Sequence, residues 1–149
     1  MTTFSHNLLT EDEPIRQLLA TVRRVAVLGM KTEAQAGQPA FDVPAYLARS
    51  GLEIVPVPVY YPDAETILGL KVHRRLADIP GPIDLVDVFR RPQDVPQHLP
   101  DILAKRPRAV WLQSGIRNDK AAEALAGEGI LVVQDRCLMV EWRRLGPSR

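Results

Sequence analysis

The sequence predicts an α/β fold, a three-layer sandwich with helices on both faces of a mostly parallel sheet. Three observations carry that prediction. Short runs such as Val25-Ala26-Val27-Leu28, "LEIVPV", "IDLVDVF", "RAVWLQ" and "ILVVQ" are apolar throughout and do not alternate with polar residues. Strands buried on both faces read this way. Helix-patterned stretches separate these runs, as strand–helix–strand units require. The chain of 149 residues has the size of one domain with one core.

The elements follow in order. Thr10 with Glu13 three residues later resembles a capping box, which would open a first helix over "EDEPIRQLLATV". Residues 1–22 thus form a helical extension ahead of the first strand. That strand, 25–28, stops at Gly29, and a helix follows over about Phe41 to Ser50, ended by Gly51. "LEIVPV" is the second strand. "PVYYPDAETILGL" reads as a loop with one helical turn, and "KVHRRLADIP" as a short edge strand with another turn. "IDLVDVF" is a strand and "RRP" opens the helix "PQDVPQHLPDILAKR". Its three prolines make that helix irregular: Pro92 suits a first turn, while Pro96 and Pro100 fit an interior poorly. "RAVWLQ" is a strand, "SG" a turn, and "IRNDKAAEALAGEG" a helix. "ILVVQ" is the last strand, and "CLMVEWRRL" closes the fold as a helix with Arg143 and Arg144 near its negative end.

Composition narrows the function classes. Charged residues make up 25% and the net charge is +1, so no general attraction to nucleic acid or membrane is expected and any anion site is local. Cys137 is the single cysteine, which rules out an internal disulfide and fits a reducing cytoplasm. The opening "MTTFSHNLLTEDEP" lacks the basic and apolar segments of a signal peptide, and no run reaches the length of a membrane span.

Ligands of such sheets sit beyond the carboxyl ends of the strands, where the strand order reverses. The residues after each strand are therefore the candidates. Gly29 permits a sharp exit from the first strand, Lys31 adds a cation and Thr32 a hydroxyl, and amides at the next helix start add partial positive charge. These suit a pyrophosphate; equally, they suit a plain loop with a surface lysine. In "FRRP", Arg90 and Arg91 face the same edge. An arginine fork can grip a phosphate, and Phe89 can pack on a base. Otherwise they are solvated charges at a helix start, a position that the helix dipole disfavours. In "LQSG", Gln113, Ser114 and Gly115 offer polar donors, and Ser114 alternatively caps the next helix. Asp87, alone in an apolar strand, needs a partner, and a hydrogen bond to a neighbouring loop is expected.

The catalytic inventory is thin. His6, His73 and His98 lack metal-ligand spacing and none lies at a strand end. Neither G-x-S-x-G nor G-x-x-x-x-G-K-[ST] occurs. Cys137 begins an apolar stretch and reads as structural. No acid–base or nucleophile set emerges, so the residues speak for binding rather than turnover.

The stretches "RVAVLGMKTE", "PAFDVPAYLARSGLEIVPV", "ILGLKVHRRLADIPGPIDLVDVFRRPQDVP", "AVWLQSGI" and "LVVQDRCLMVE" resemble the stand-alone CoA-binding domain proteins, relatives of the CoA-binding domain of succinyl-CoA synthetase. The resemblance runs from about Arg24 to Arg144. It implies a Rossmann-like fold and a CoA or acyl-CoA ligand at the strand ends. It puts the pyrophosphate near Gly29, Met30, Lys31 and Thr32, and the adenosine near Val57, Pro58, Phe89 and Arg90. The pantetheine arm would run toward Gln113, Ser114 and Gly115. Two stretches depart from the family pattern. The first loop, "GMKTEAQAGQP", is long and has Gln38 where a basic residue usually stands, and "VPVYYPD" replaces the usual V-N-P. The synthetase's phosphohistidine domain has no counterpart here, so no ligase chemistry is implied.

Three readings follow: a CoA-binding protein without catalysis of its own, acting as a carrier, sensor or subunit; an NAD(P)-binding oxidoreductase; or an interaction protein with a degenerate nucleotide site. The second lacks G-x-G-x-x-G and an acid at the end of the second strand, where Val57-Pro58 stand.

Overall fold

The structure is a computed structural model that describes residues 4–148. Met1–Thr3 of the expected extension, and Arg149, lie outside the described residues. After a short 3₁₀ turn (Ser5–Asn7), α1 (Asp12–Thr21) leads into β1 (Arg24–Leu28). Then come α2 (Pro39–Arg49), β2 (Glu53–Val57) and a small hairpin of β3 (Thr66–Ile67) and β4 (Leu70–Lys71). β5 (Leu85–Val88), α3 (Leu99–Lys105), β6 (Ala109–Leu112), α4 (Asp119–Gly127), β7 (Leu131–Val133) and α5 (Leu138–Leu145) complete the chain.

The main sheet has the order β2-β1-β5-β6-β7, with every pairing parallel. Its register sets Val27 between Pro56 and Asp87, and Trp111 between Asp87 and Val133. Each face buries its own apolar layer. Val25, Val27, Leu85 and Trp111 pack with Ile15 and Leu19 of α1, Leu47 of α2 and Trp142 of α5. Ala26, Val86, Val88 and Val110 pack with Ile102 of α3 and Leu125 of α4. This is the three-layer sandwich that the apolar runs predict, with the Rossmann-like arrangement that the resemblance implies. No helix among the described residues is long and apolar enough to cross a membrane.

The structure corrects several local expectations. Glu11, not Thr10, is the N-cap of α1, and it caps without a side-chain bond. The Thr10 carbonyl instead accepts from Arg136 at 2.6 Å. The segment after β2 forms no helical turn but the β3–β4 hairpin. Leu68 and Gly69 both have positive φ (55° and 72°), the backbone that a tight two-residue hairpin demands. The proline-rich stretch divides in two. Pro92 and Pro96 lie in a 3₁₀ segment (Pro92–His98), and a fresh helix then begins, with Pro100 in its first turn, where a missing N–H costs nothing. Ser114 does not cap α4. Asn118 does, its side chain accepting from the Ala121 N–H at 3.0 Å.

Asp87 is the largest departure. It is wholly buried, and among the described residues neither carboxylate oxygen finds a hydrogen-bond partner. The expected bond to a neighbouring loop is absent because its strand position aims it into the apolar layer beside Val27 and Trp111. Burial pushes its pKa well above the usual carboxylate range.

Candidate functional site

The strand order reverses between β1 and β5: the chain runs outward from β1 to β2, then crosses back to β5. The loops after β1 and β5 meet at this reversal. Gly29 lies there at φ 87°, and a Cβ on it would stand 2.3 Å from the Phe89 carbonyl oxygen. The close approach that makes glycine necessary is thus made by the neighbouring loop. The Gly29 N–H donates to Val57 O (2.8 Å) and the Phe89 N–H to Leu28 O (2.9 Å), which locks both strand exits together.

The first loop then turns toward α2. Pro44 has no N–H to offer the Ala40 carbonyl four residues before it. The Lys31 N–H takes that carbonyl at 3.1 Å, clipping the loop to the helix. Thr32 and Gln35 form a reciprocal capping box around a single 3₁₀ turn. The Lys31 ammonium donates to the Gln38 side chain. Glu33 accepts from the Leu68 N–H at 2.7 Å, which ties the hairpin tip to the same loop.

A crevice of about 490 Å³ opens above the reversal. Lys31, Gln38, Pro39 and Ala40 form one wall, Phe89, Arg90, Arg91 and Pro92 another, and Tyr60 and Ile116 close it. The Arg90 side chain is only 9% exposed. Its Nε donates to His98 Nε2 (3.0 Å), one terminal nitrogen reaches the Tyr60 hydroxyl (3.4 Å), and Asp94 lies 3.8 Å away. Its guanidinium carbon is 5.5 Å from the Tyr60 ring centre, a cation–π contact. To accept that bond the His98 imidazole is neutral. Burial, and then the Arg90 charge, hold its pKa below the ordinary histidine value. Arg91 is mostly exposed and donates to Asp94 at 2.7 Å. Arg91's bond, and after it the Arg91 and Arg90 charges, keep the Asp94 carboxyl below its usual range. Asp94 stands in the first turn of the 3₁₀ segment, so it offsets the positive charge that the dipole disfavours.

The expected residues therefore divide. Lys31, Phe89, Arg90 and Arg91 line the crevice, with Gly29 at the loop crossing beneath it. Thr32 spends its hydroxyl on Gln35 (2.8 Å). Met30, Val57 and Pro58 are buried. Gln113 is buried too, its oxygen accepting from the Leu138 N–H at 3.0 Å. Ser114 and Gly115 are exposed outside the crevice lining, and the Gly115 N–H donates to Asp135 at 2.6 Å. Cys137 is half-buried against the apolar layer. Sequence reasoning missed Tyr60, Ile116 and the Arg90–His98 contact. The aromatic pair in "VYYPD" was the available signal for Tyr60. His98 lies eight residues from Arg90 and gave none.

A second cleft, of about 420 Å³, borders the β7 edge. Its polar groups largely satisfy one another: Arg117 pairs with Asp119 (3.1 Å), Gln134 donates to Asp119 (3.1 Å), and Arg136 reaches the Thr10 carbonyl. The crevice at the reversal, with cations beside aromatic surface, is the stronger candidate.

Fold and crevice together define a class, the Rossmann-like domains that take ligands at a sheet switch point. The chain belongs to the CoA binding domain family, whose model matches residues 23–143. A Bacillus subtilis (strain 168) protein, YneT, is 32% identical over 126 residues, 85% of this chain and 90% of that protein. A solved Thermus thermophilus structure is 42% identical with a TM-score of 0.82, covering 91% of this chain and 99% of that one. The fold, at 17% identity and a TM-score of 0.63, also matches part of an acetyl-coenzyme A synthetase from Ca. Korarchaeum cryptofilum, over 79% of this chain and 26% of that one.

Proposed function

We propose that this protein binds CoA or a short acyl-CoA at the strand ends and has no catalysis of its own, serving as a carrier, sensor or subunit. The observation that carries the reading is the crevice itself. Three cationic side chains, Lys31, Arg90 and Arg91, stand beside Phe89 and Tyr60 at the sheet switch point. A ligand that joins phosphates to an aromatic base suits that pairing, and CoA adds a long flexible arm. In this reading the main chain from Gly29 to Thr32 and the Lys31 ammonium face the pyrophosphate. Phe89 and Arg90 border the adenosine beyond Val57 and Pro58, and the arm leaves toward Gln113, Ser114 and Gly115. The whole chain serves as one domain, with residues 1–22 as an extension, and the lone Cys137 supports a reducing, cytoplasmic setting.

A thermal-shift panel of CoA, acetyl-CoA, NAD and NADP tests the reading, because only a ligand of the native state raises the melting point. CoA or acetyl-CoA is expected to stabilise and the dinucleotides are not. A shift with NAD or NADP alone would move the protein to the oxidoreductase reading. No shift with any of the four would favour an interaction protein, a reading to which one observation lends weight: Arg90 and Lys31 already hold partners within the chain.

A further inference from the structure

We infer that Tyr60 is the residue on which the purine base of the nucleotide stacks, and that Arg74 is the positioning residue that presents it. The inference rests on the CoA reading and extends it to a loop that departs from the family pattern. Tyr60 is 61% exposed, one of only two large apolar side chains among the described residues left so open. It stands on the crevice rim opposite Lys31 and beside Phe89. A ring this exposed buries little of its own surface on folding, yet this one is held in place. Arg74 donates to three carbonyls of the loop, Tyr60 (3.0 Å), Tyr61 (2.7 Å) and Ala64 (3.0 Å). Tyr61 takes a left-handed backbone, φ 63°, which a bulky residue rarely adopts, and strain of this kind persists where the surroundings impose it.

The ring's orientation is fixed as well as its place. Tyr61 meets it edge to face with centroids 6.4 Å apart, and the Arg90 guanidinium lies against it. The hydroxyl is 3.4 Å from an Arg90 nitrogen, which itself is anchored on His98. A pre-oriented aromatic surface beside cations is what a planar, phosphate-bearing base requires, since stacking needs little reordering of a ring already set. The same contacts leave Arg90 as the support of the ring, and Arg91 as the more open cation for phosphate.

Calorimetric titration of the intact protein with CoA, adenosine bisphosphate (a base without the arm) and phosphopantetheine (the arm without a base) tests this. Tyr60→Ala is expected to weaken CoA and adenosine bisphosphate by about tenfold or more, the usual worth of one stacked base. Phosphopantetheine should be unaffected, and Tyr60→Phe should bind CoA within about twofold of the parent, because the face is retained. Arg74→Ala should reproduce the loss, and the double variant should be no worse than either, as expected of residues acting as a unit. If Tyr60→Ala binds CoA as tightly as the parent, the stacking role is overturned and the CoA reading stands. An equal loss for phosphopantetheine also overturns it, since the crevice as a whole has then changed. If the parent itself binds none of the three, both readings fall.

Discussion

Arg90 donates its Nε proton to His98 Nε2 at 3.0 Å, so a nearly buried cation of the crevice rests on a neutral imidazole. A group held in this way behaves differently from the exposed arginine next to it. Arg90→Ala is expected to cost roughly 1–3 kcal/mol of folding stability, because it strips a charged donor from His98 and the packing from Tyr60. Arg91→Ala should leave stability close to that of the parent, since the Arg91 side chain is mostly exposed. Its cost should appear in CoA affinity instead, roughly tenfold to a hundredfold for one charge-assisted contact. Urea melts alongside calorimetry separate the two. Equal stability losses for both variants would contradict the assignment.

His98 makes stability depend on pH. Its folded pKa is depressed, first by burial and then by Arg90, against opposing pulls from Asp101 and Asp94. The unfolded chain therefore binds the proton more readily. The stability this histidine contributes is complete above its unfolded value of about 6.5, and is lost as pH falls through the lower folded value. Denaturant midpoints for the parent should decline in that window, and His98→Asn should flatten the decline.

Asp87 works in the opposite sense. Its folded pKa is raised by burial alone. Its favourable contribution is complete below the unfolded carboxyl value of about 3.9, and is lost as pH rises through the folded value. Asp87→Asn, which cannot ionise, should remove the slope that begins above the unfolded carboxyl value. The check is a pair of melting-temperature profiles against pH; parallel profiles would mean that Asp87 carries no such linkage.

Gly29→Ala should be among the more damaging single changes in the chain. The left-handed backbone alone costs a residue with a Cβ about 1–2 kcal/mol. The 2.3 Å approach of the Phe89 carbonyl adds displacement of the neighbouring loop. Circular dichroism melts should show a clear fall, with loss of ligand binding even at temperatures where the variant is folded. By contrast Gly37→Ala meets no atom within 4 Å, so only its φ of 101° is penalised.

Much of this architecture was legible in the sequence because apolar runs report burial on two faces directly. Val25–Leu28 and the run around Val86 needed no context to read as interior strands. What stayed hidden depends on residues far apart in the chain meeting in space. Asp87 stands out as anomalous, but a sequence gives no sign whether a loop comes near enough to answer it, and among the described residues no hydrogen bond does. Ser114 looked like a cap by type, yet the turn runs four residues further before α4 begins at Asp119, so Asn118 takes the role. In the crevice, strand-end logic located Lys31, Phe89, Arg90 and Arg91. It could not locate Tyr60, because that residue arrives through a loop whose course is set by Arg74, fourteen residues on.

The clip between Lys31 and the Ala40 carbonyl bears on how this loop can vary in length. Its acceptor exists because Pro44 leaves one helix carbonyl without its usual donor, so the anchor belongs to the helix rather than to the residues that follow Lys31. Residues 32–37 span between two fixed points, and Gly37 has open space around it. Insertions or deletions in that span can bulge toward solvent while the crossing at Gly29 and the crevice floor keep their geometry. Relatives with shorter or longer loops can therefore share one floor and differ only at the rim, which makes ligand preference adjustable through segment length without repacking the sheet.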